Sequence, residues 1–148
     1  MARNAAGFDE FYDATVMRML RYGYAVTGDL AVARDVVQSA YSRAWRDWKR
    51  LERRAPEIWV RRTVSRLAAE RRTRIPRPAT ASVPPLVAAL RRLPVRDRQA
   101  LALHHLYGLG VTEIAGEAGV PEAAVAAWLS RGRGALAAQL NLEAHDVD

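Results

Sequence analysis

Residues 111–130 read VTEIAGEAGVPEAAVAAWLS, and this stretch decides the fold that we predict for the C-terminal half of the chain. A helix-turn-helix needs a small residue where its two helices cross, and Ala115 supplies one. Four residues later, Gly119 supplies the tolerance of positive φ that the turn requires. The apolar residues that would hold the two helices together are Ile114, Val120, Val125 and Trp128 or Leu129. An unrelated pair of short helices joined by a glycine turn is the alternative, and it explains fewer of these agreements.

The pattern is helical along most of the remaining chain, because apolar residues recur at spacings of three and four and no run alternates at period two. Gly28 suits the end of one helix, Asp29 suits the N-cap of the next, and Pro56 suits the first turn of a third. The predicted helices cover residues 8–26, 30–48, 56–74, 86–93, 95–107, 112–118 and 121–140. Lys49 to Ala55 is predicted to be a basic loop. The predicted fold class is all-α.

A proline-rich segment divides the helical pattern in two. Residues 75–85 contain four prolines, and this composition stiffens a linker toward polyproline geometry. The charge changes sign at the same place, since residues 1–78 carry 17 basic and 9 acidic side chains whereas residues 79–148 carry 6 and 7. We therefore predict two small helical domains, at 1–74 and 86–148, joined by a linker at 75–85.

The basic charge is concentrated in one part of the chain. The 148 residues include no cysteine and carry a formal net charge of +7. Residues 43–77 alone hold 13 basic and 4 acidic side chains, a net charge of +9. A basic patch of this kind, here almost entirely arginine, is typical of proteins that bind phosphate or another polyanion. An arginine-rich surface that only faces water is the alternative.

Several classes of protein are disfavoured by the sequence. The absence of cysteine excludes a disulfide framework, a thiolate nucleophile and a cysteine zinc site. No apolar run approaches the ~18 residues of a membrane span, and the N-terminus lacks an apolar export signal, so we expect a cytoplasmic chain with no membrane partner. His104 and His105 are adjacent and project apart on a helix, which makes a poor metal pair. With no catalytic constellation and no phosphate-binding glycine loop, we predict no enzymatic activity, no cofactor and no metal.

Three blocks of sequence, in order, resemble a known family. They are GDLAVARDVVQSAYSRAWRDW at 28–48, PEIWVRRTVSRLAAERRTR at 56–74 and LRRLPVRDRQALALHHLYGLGVTEIAGEAGVPEAAVAAWLSRGRGAL at 90–136. Together they resemble a bacterial extracytoplasmic-function sigma factor of the short actinobacterial type, over about residues 8–140. The resemblance implies a sigma region 2 bundle, a sigma region 4 helix-turn-helix and promoter-specific initiation of transcription. It also implies core RNA polymerase and promoter DNA as partners, and allows an anti-sigma factor as a further one.

The resemblance also assigns site residues. The polymerase-binding face that it implies consists of Asp35, Val37, Gln38 and Tyr41. The residues that it places against the melted −10 element are Trp48, Lys49, Arg50, Arg53, Arg54, Trp59, Arg62 and Arg66. The residues that it places against the −35 element are Glu122, Ala124, Ala126, Ala127, Arg131 and Arg133. Arginines beside flat aromatic rings suit single-stranded DNA, although Trp45, Trp48 and Trp59 could instead be core residues of a small bundle.

The predicted −35 reading helix is unusual in its chemistry. Glu122 is followed by alanine at 123, 124, 126 and 127, where side chains that read bases are expected. Alanine can touch a thymine methyl group but cannot make the bidentate contacts that are worth ~1–3 kcal/mol each. Arg131 and Arg133 are better suited to phosphates than to bases.

Three hypotheses stay open from the sequence. They are a working sigma factor, a sigma-like protein that binds polymerase or an anti-sigma factor but reads promoters poorly, and an unrelated helix-turn-helix regulator. The linker bears on the first, because eleven residues span at most ~36–40 Å whereas the ~17 base pairs between the two promoter elements span about 58 Å. Each small domain adds roughly 10 Å from its centre to the point where the linker attaches, so simultaneous contact with both elements needs a nearly extended linker.

Overall fold

The computed structural model describes residues 4–74 and 84–147, and these residues form helices and turns with no strand among them. The helices are α1 Ala5–Thr27, α2 Leu30–Arg46, α3 Trp48–Leu51, α4 Pro56–Arg74, α5 Pro85–Arg91, α6 Val95–Tyr107, α7 Val111–Ala118 and α8 Glu122–Val147. The predicted all-α fold is confirmed. Within the described residues, no helix combines the length and the apolar character that crossing a membrane requires.

The helix ends follow the predicted capping chemistry. Gly28 ends α1 with a φ of 72°, and its N–H donates to the carbonyl of Tyr24. The Asp29 side chain then accepts a hydrogen bond from the backbone N–H of Val32 and so caps α2. In the second half of the chain, Gly119 ends α7 with a φ of 70°, as the predicted turn requires. These local signals therefore set the boundaries where the sequence placed them.

The structure differs from the prediction in the basic loop. Residues 48–51 form a helical turn, α3, where a loop was predicted. The physical reason is that Trp48 and Leu51 lie three residues apart and are both buried, which anchors one turn of helix to the core. The chain leaves α3 through residues 52–55, and Ala55 has a φ of 50° just before α4 begins.

Two other boundaries concern the linker and the last helix. Residues 75–83 of the predicted linker lie outside the described residues. Pro84 stands at the N-cap of α5 and Pro85 is its first residue, so the helix begins one residue earlier than predicted. The last helix, α8, begins at Glu122 and continues to Val147, beyond the predicted end at residue 140.

The N-terminal domain, α1–α4, packs α1 and α4 against α2. Its core includes Val36, Val37, Ala40, Tyr41 and Ala44 of α2 and Val60, Val64, Leu67 and Ala68 of α4. An aromatic cluster closes the end nearest α3, where the ring centroids of Phe8 and Phe11 lie 5.3 and 5.2 Å from that of Trp48. The Tyr41 hydroxyl is hydrogen-bonded to the Thr15 hydroxyl at 2.6 Å, so these two buried hydroxyls are paired with each other.

The C-terminal domain, α5–α8, contains the predicted helix-turn-helix in α7 and α8. Ile114, Ala115, Val125 and Leu129 are buried, and Val120 and Trp128 pack against them. The spacing argument for residues 111–130 is therefore confirmed in each of its apolar positions. Asp97 of α6 is fully buried and holds Arg131 of α8 through two hydrogen bonds, of 2.9 and 2.7 Å.

The two domains pack against each other and share one continuous apolar cluster. Met19 and Tyr22 of α1 belong to the same cluster as Leu101 and Leu103 of α6. The Cα atoms of α1 and α6 approach within 8 Å, and so do those of α4 and α7. Amphipathic periodicity alone does not predict this contact, because each domain by itself satisfies the pattern.

We expect Gly28→Ala to destabilise the chain more than Gly119→Ala, as measured by thermal unfolding. Both residues have positive φ, which costs an alanine about 1–2 kcal/mol. A Cβ at Gly28 would in addition lie 2.6 Å from Cγ of Arg91, whereas one at Gly119 would meet nothing within 4 Å.

Gly134→Ala is the matched control for these two substitutions. Gly134 lies within α8 with no atom near its Cβ position, so alanine should be neutral or stabilising by up to about 1 kcal/mol. Equal losses of stability for Gly28→Ala and Gly119→Ala would contradict the contact between Arg91 and the end of α1.

Candidate nucleic-acid interface and the contact between the domains

The predicted −10 residues of α4 share one side of that helix. Trp59, Arg62 and Arg66 follow at spacings of three and four, so they lie on the same face. Arg62 and Arg66 are exposed and Trp59 is half-buried. All three line a cleft of about 590 Å³ whose opposite wall is formed by α6 and α7. The predicted DNA face of α4 therefore looks toward the C-terminal domain.

The basic residues around α3 differ from the tryptophan that begins it. Lys49, Arg50, Arg53 and Arg54 are all exposed and available to phosphates. Trp48 is only 3% exposed and is held in the aromatic cluster between Phe8 and Phe11, so its ring offers no face for stacking on a base.

The other tryptophans of this domain also divide between core and surface. Trp45 packs on Phe8 with ring centroids 5.3 Å apart, which fits the core alternative. Trp59 is the tryptophan that borders the cleft. An exposed aromatic surface for DNA is thus reduced to one side chain on α4.

The predicted polymerase face on α2 is split in the same way. Asp35 and Gln38 are exposed, whereas Val37 and Tyr41 are buried in the core. Burial raises the pKa of Tyr41 above its ordinary value, partly offset by its hydrogen bond to Thr15. Asp35 forms an ion pair of 2.5 Å with Arg71 of α4, which orients its carboxylate at the domain surface. Only Asp35 and Gln38 of the four predicted residues can therefore touch a partner in this structure.

The predicted −35 helix presents small side chains to its surroundings. Glu122, Ala126 and Ala127 are exposed, as is Ala123, while Ala124 is half-buried. Arg133 is exposed. Arg131 is bound by Asp97, and those hydrogen bonds raise the pKa of Arg131. Arg131 thus holds α8 on α6. Arg133, the other arginine predicted to contact the −35 element, is not bound by Asp97.

Arg61 and Glu117 form a buried ion pair between the domains, which sequence reasoning missed. Arg61 of α4 donates from Nε to Glu117 Oε2 at 2.9 Å and from Nη2 to Oε1 at 2.5 Å. Their side chains are 6% and 7% exposed. Burial disfavours the Arg61 cation, but the hydrogen bonds and charge of Glu117 outweigh this cost and raise the pKa of Arg61.

An aromatic ring completes the environment of this pair. The Arg61 guanidinium lies 4.2 Å from the ring centroid of Tyr107 at the end of α6, within the range of a cation–π contact. The Tyr107 ring packs edge-on against Tyr22 of α1 at 6.0 Å. Burial raises the pKa of Tyr107 to about 12. Tyr107 therefore joins α1, α4 and α6 at one point.

Further polar contacts connect the domains around this point. Gln99 of α6 donates to the backbone carbonyl of Ser65 at 3.2 Å, and the Ser65 hydroxyl is hydrogen-bonded to Tyr22 at 2.5 Å. Arg91 of α5 donates to the carbonyl of Gly28 at 2.8 Å. One signal for this surface was present in the sequence, since Arg61 and Ser65 lie four residues apart beside the apolar positions 60 and 64. That pattern marks the edge of a core face.

A comparison with curated proteins finds no match. The chain is similar to a chain of the complex of the sigma factor RpoE with the anti-sigma factor NepR from Bartonella quintana, with 18% identity over 90% of this chain and 96% of that one and a TM-score of 0.78. It is also similar to a chain of the RsbN–BldN complex, with 26% identity, 88% of each chain covered and a TM-score of 0.39.

The family comparison identifies the C-terminal domain. Residues 85–136 match the family model for Sigma-70, region 4, a span that contains α5–α7 and the first half of α8. The similarity to the Bartonella quintana complex shows that the chain as a whole has the same arrangement of two helical domains. The C-terminal domain is thus similar to sigma-70 region 4 over residues 85–136.

Proposed function

We propose that this chain is an RNA polymerase sigma factor, which binds core polymerase and directs it to promoters. The observation that carries the proposal is the region 4 match over residues 85–136, which includes the complete helix-turn-helix. The two-domain helical fold supports it. The extracytoplasmic-function class and the short actinobacterial type are further parts of the proposal, and they rest on the three sequence blocks.

In this proposal the N-terminal domain binds the melted −10 element. Arg62 and Arg66 on α4, together with Lys49 and Arg50 on α3, are exposed cations that can bind the phosphates of a single strand. Trp59 can stack on a base, because stacking tolerates any sequence and needs only one open aromatic face. Trp48 supports this surface from below through the aromatic cluster, and does not contact DNA.

Polymerase binding is assigned to the exposed residues of α2. Asp35 and Gln38 lie one turn apart on the same side of α2 and are both exposed. Val37 and Tyr41 shape this face from inside the core. An anti-sigma factor is also proposed as a partner, because the chain resembles part of a complex that contains one.

A second candidate function is a sigma-like interaction protein that reads the −35 element weakly or not at all. Two observations favour it: α8 presents alanines where base contacts are expected, and Asp97 holds Arg131. In both candidates region 4 still serves as a protein-binding domain. The two differ in whether promoter sequence controls transcription, which can be measured directly.

We expect Arg62→Ala/Arg66→Ala to weaken binding of a −10 single strand by the complex of this chain with core polymerase. Each lost phosphate contact makes the negative slope of log K against log salt shallower by about 0.7. The slope for the double variant should therefore be shallower by about 1.4. Arg21→Ala/Arg34→Ala is the matched control, since both arginines are exposed in the same domain away from this face. Equal effects of the two double variants would show that only the overall charge matters.

We expect run-off transcription, from a promoter library randomised at both elements, to select strongly at −10 and weakly at −35. A mismatched base pair at −35 should cost less than the ~1–3 kcal/mol that is usual for specific sites, because alanines make no bidentate contacts. Sequencing of the transcribed templates measures both preferences.

Asp35→Ala/Gln38→Ala should reduce association with core polymerase while circular dichroism stays unchanged.

Two results would change these assignments. Equally strong selection at −35 would mean that α8 reads DNA through groups other than those named. A chain that binds core polymerase but yields no transcript from any template would favour the interaction protein over the sigma factor.

A further inference from the structure

We propose that the cleft between α4 and the C-terminal helices α6 and α7 binds a purine nucleotide, with the base against Trp59 and the phosphates on arginines of the rim. The proposal goes beyond the sigma-factor function, because it concerns a small ligand and needs neither polymerase nor promoter DNA. It is carried by the size of the cleft, an aromatic ring, three cations and a fixed hydrogen-bond acceptor.

The cleft has the size of a small-molecule site. Its volume is about 590 Å³, and sites for small ligands usually have about 300–1,000 Å³. Apolar side chains of both domains line part of it, among them Ala69 of α4 and Val95 and Leu103 of α6. Such sites combine an apolar lining with a few polar groups and occur preferentially where domains meet. The cleft can therefore hold a ligand that contacts both domains.

Trp59 supplies a flat surface at the cleft. Its side chain is half-buried, packs against the core and lines the cleft. Among the residues that the structure describes, no other aromatic ring or arginine is paired with the Trp59 ring, whereas Trp48 packs on Phe8 and Phe11. Stacking on an aromatic side chain is favourable for any base, because every base has a π-face. Trp59 is thus available to stack on the base of a ligand.

Three arginines give the cleft a cationic rim. Arg62 and Arg66 of α4 and Arg96 of α6 are exposed and line the cleft. None of the three forms an ion pair with a carboxylate of the described residues. The Arg96 guanidinium lies 5.3 Å from the ring centroid of Trp128, and this cation–π contact orients it. Because guanidinium groups bind phosphate oxygens in a bidentate manner, this rim favours a phosphorylated ligand.

The two carboxylates of the lining do not cancel these cations. Glu117 is hydrogen-bonded to Arg61 through both of its oxygens, so its charge is already compensated. Glu70 is exposed and lies one turn beyond Arg66 on α4. With Arg61 counted as the partner of Glu117, the lining has three arginines and one carboxylate. The net charge of the cleft is therefore positive, as an anionic ligand requires.

Gln99 gives the cleft a fixed hydrogen-bond acceptor. Its side chain lines the cleft and is only 8% exposed. Nε2 donates to the carbonyl of Ser65 at 3.2 Å, and because a carbonyl can only accept, this bond fixes the orientation of the amide. The amide oxygen Oε1 accepts no hydrogen bond from the part of the chain that the structure describes. It can therefore accept one from an exocyclic amine, such as that of adenine or guanine.

Two of the cleft residues belong to no other proposed site. Arg96 and Gln99 lie on α6 and are absent from the residues assigned to polymerase, to the −10 element and to the −35 element. Trp59, Arg62 and Arg66 are shared with the −10 assignment. A substitution at Arg96 consequently probes the nucleotide site and leaves the assigned promoter contacts in place.

Isothermal titration calorimetry on the full chain, without polymerase, DNA or divalent cations, tests the proposal with ATP and with GTP. We expect at least one of them to bind with one site per chain, roughly tenfold or more tightly than inorganic tripolyphosphate or the parent nucleoside. Purine riboside triphosphate lacks the exocyclic amine and should bind roughly two- to tenfold less tightly, as expected for one lost hydrogen bond. Equal binding of the nucleotides and tripolyphosphate would overturn the proposal, because positive charge alone would then explain it.

Substitutions at the cleft test the same site from the side of the protein. Arg96→Ala should weaken nucleotide binding roughly tenfold, because it removes a charge-assisted phosphate contact. Arg92→Ala is the matched control, since Arg92 is an exposed arginine of the same domain that does not line the cleft. It should leave binding within about twofold. Equal losses for the two variants would contradict a site at the cleft.

The role of the aromatic ring is tested by a pair of substitutions at Trp59. Trp59→Leu should remove most of the preference for the nucleotide over tripolyphosphate, whereas Trp59→Phe keeps a ring and should retain part of it. An unchanged preference in a folded Trp59→Leu variant would refute stacking on this residue. Circular dichroism and thermal unfolding establish that each variant is folded, and Arg96→Ala tests the site if Trp59→Leu fails to fold.

The outcomes separate this inference from the proposed function. If neither ATP nor GTP binds more tightly than tripolyphosphate while run-off transcription is intact, the nucleotide site is refuted and the sigma-factor function stands. If the nucleotides bind as predicted but the chain supports no transcription with core polymerase, the nucleotide site is upheld and the sigma-factor function is refuted.

Discussion

The Arg61–Glu117 ion pair joins the two domains of this protein beside the apolar cluster that they share. Two charges have been removed from water, and a bidentate set of hydrogen bonds and the Tyr107 ring compensate them. Such compensation requires good geometry, which only the packed arrangement of α4, α6 and α7 provides. The residues assigned to DNA and the contact between the domains therefore occupy neighbouring sides of one helix.

The position of a residue around α4 decides between these roles. Arg61 and Arg62 are adjacent in the sequence but point about 100° apart on a helix of 3.6 residues per turn. Arg61 is consequently buried against Glu117, while Arg62 borders the cleft beside Trp59. The contact between the domains thus combines this ion pair with the apolar cluster that α1 and α6 share.

The predictions from sequence succeeded where structure is decided locally. The helix-turn-helix follows from the positions of Ala115, Gly119 and Ile114. Few residue types can meet the requirements for a small side chain at the crossing, a positive φ in the turn and an apolar residue in the core. The caps at Gly28 and Asp29 succeeded for the same reason. The Arg61–Glu117 pair between the domains could not be predicted, because the periodicity of one helix does not indicate which of its charged residues contacts another domain.

The same limit explains the outcome at the predicted sites. An amphipathic pattern identifies the residues that project from one side of a helix. It does not indicate whether a partner protein or the core of the chain itself packs against them. Tyr41 and Trp48 are covered by α1, while Gln38 and Lys49 remain exposed. Arg131 was predicted to contact phosphate, but it is hydrogen-bonded to the fully buried Asp97, which lies 34 residues away in the sequence.

Small-angle X-ray scattering from the chain alone tests the central claim, that the domains pack together through the Arg61–Glu117 pair, most directly. A compact chain of 148 residues should have a radius of gyration of about 15 Å. We predict this value for the unmodified chain and for Glu57→Gln, and an increase for Glu117→Ala. A radius of gyration well above about 20 Å for the unmodified chain, which two separated domains would give, would contradict the account.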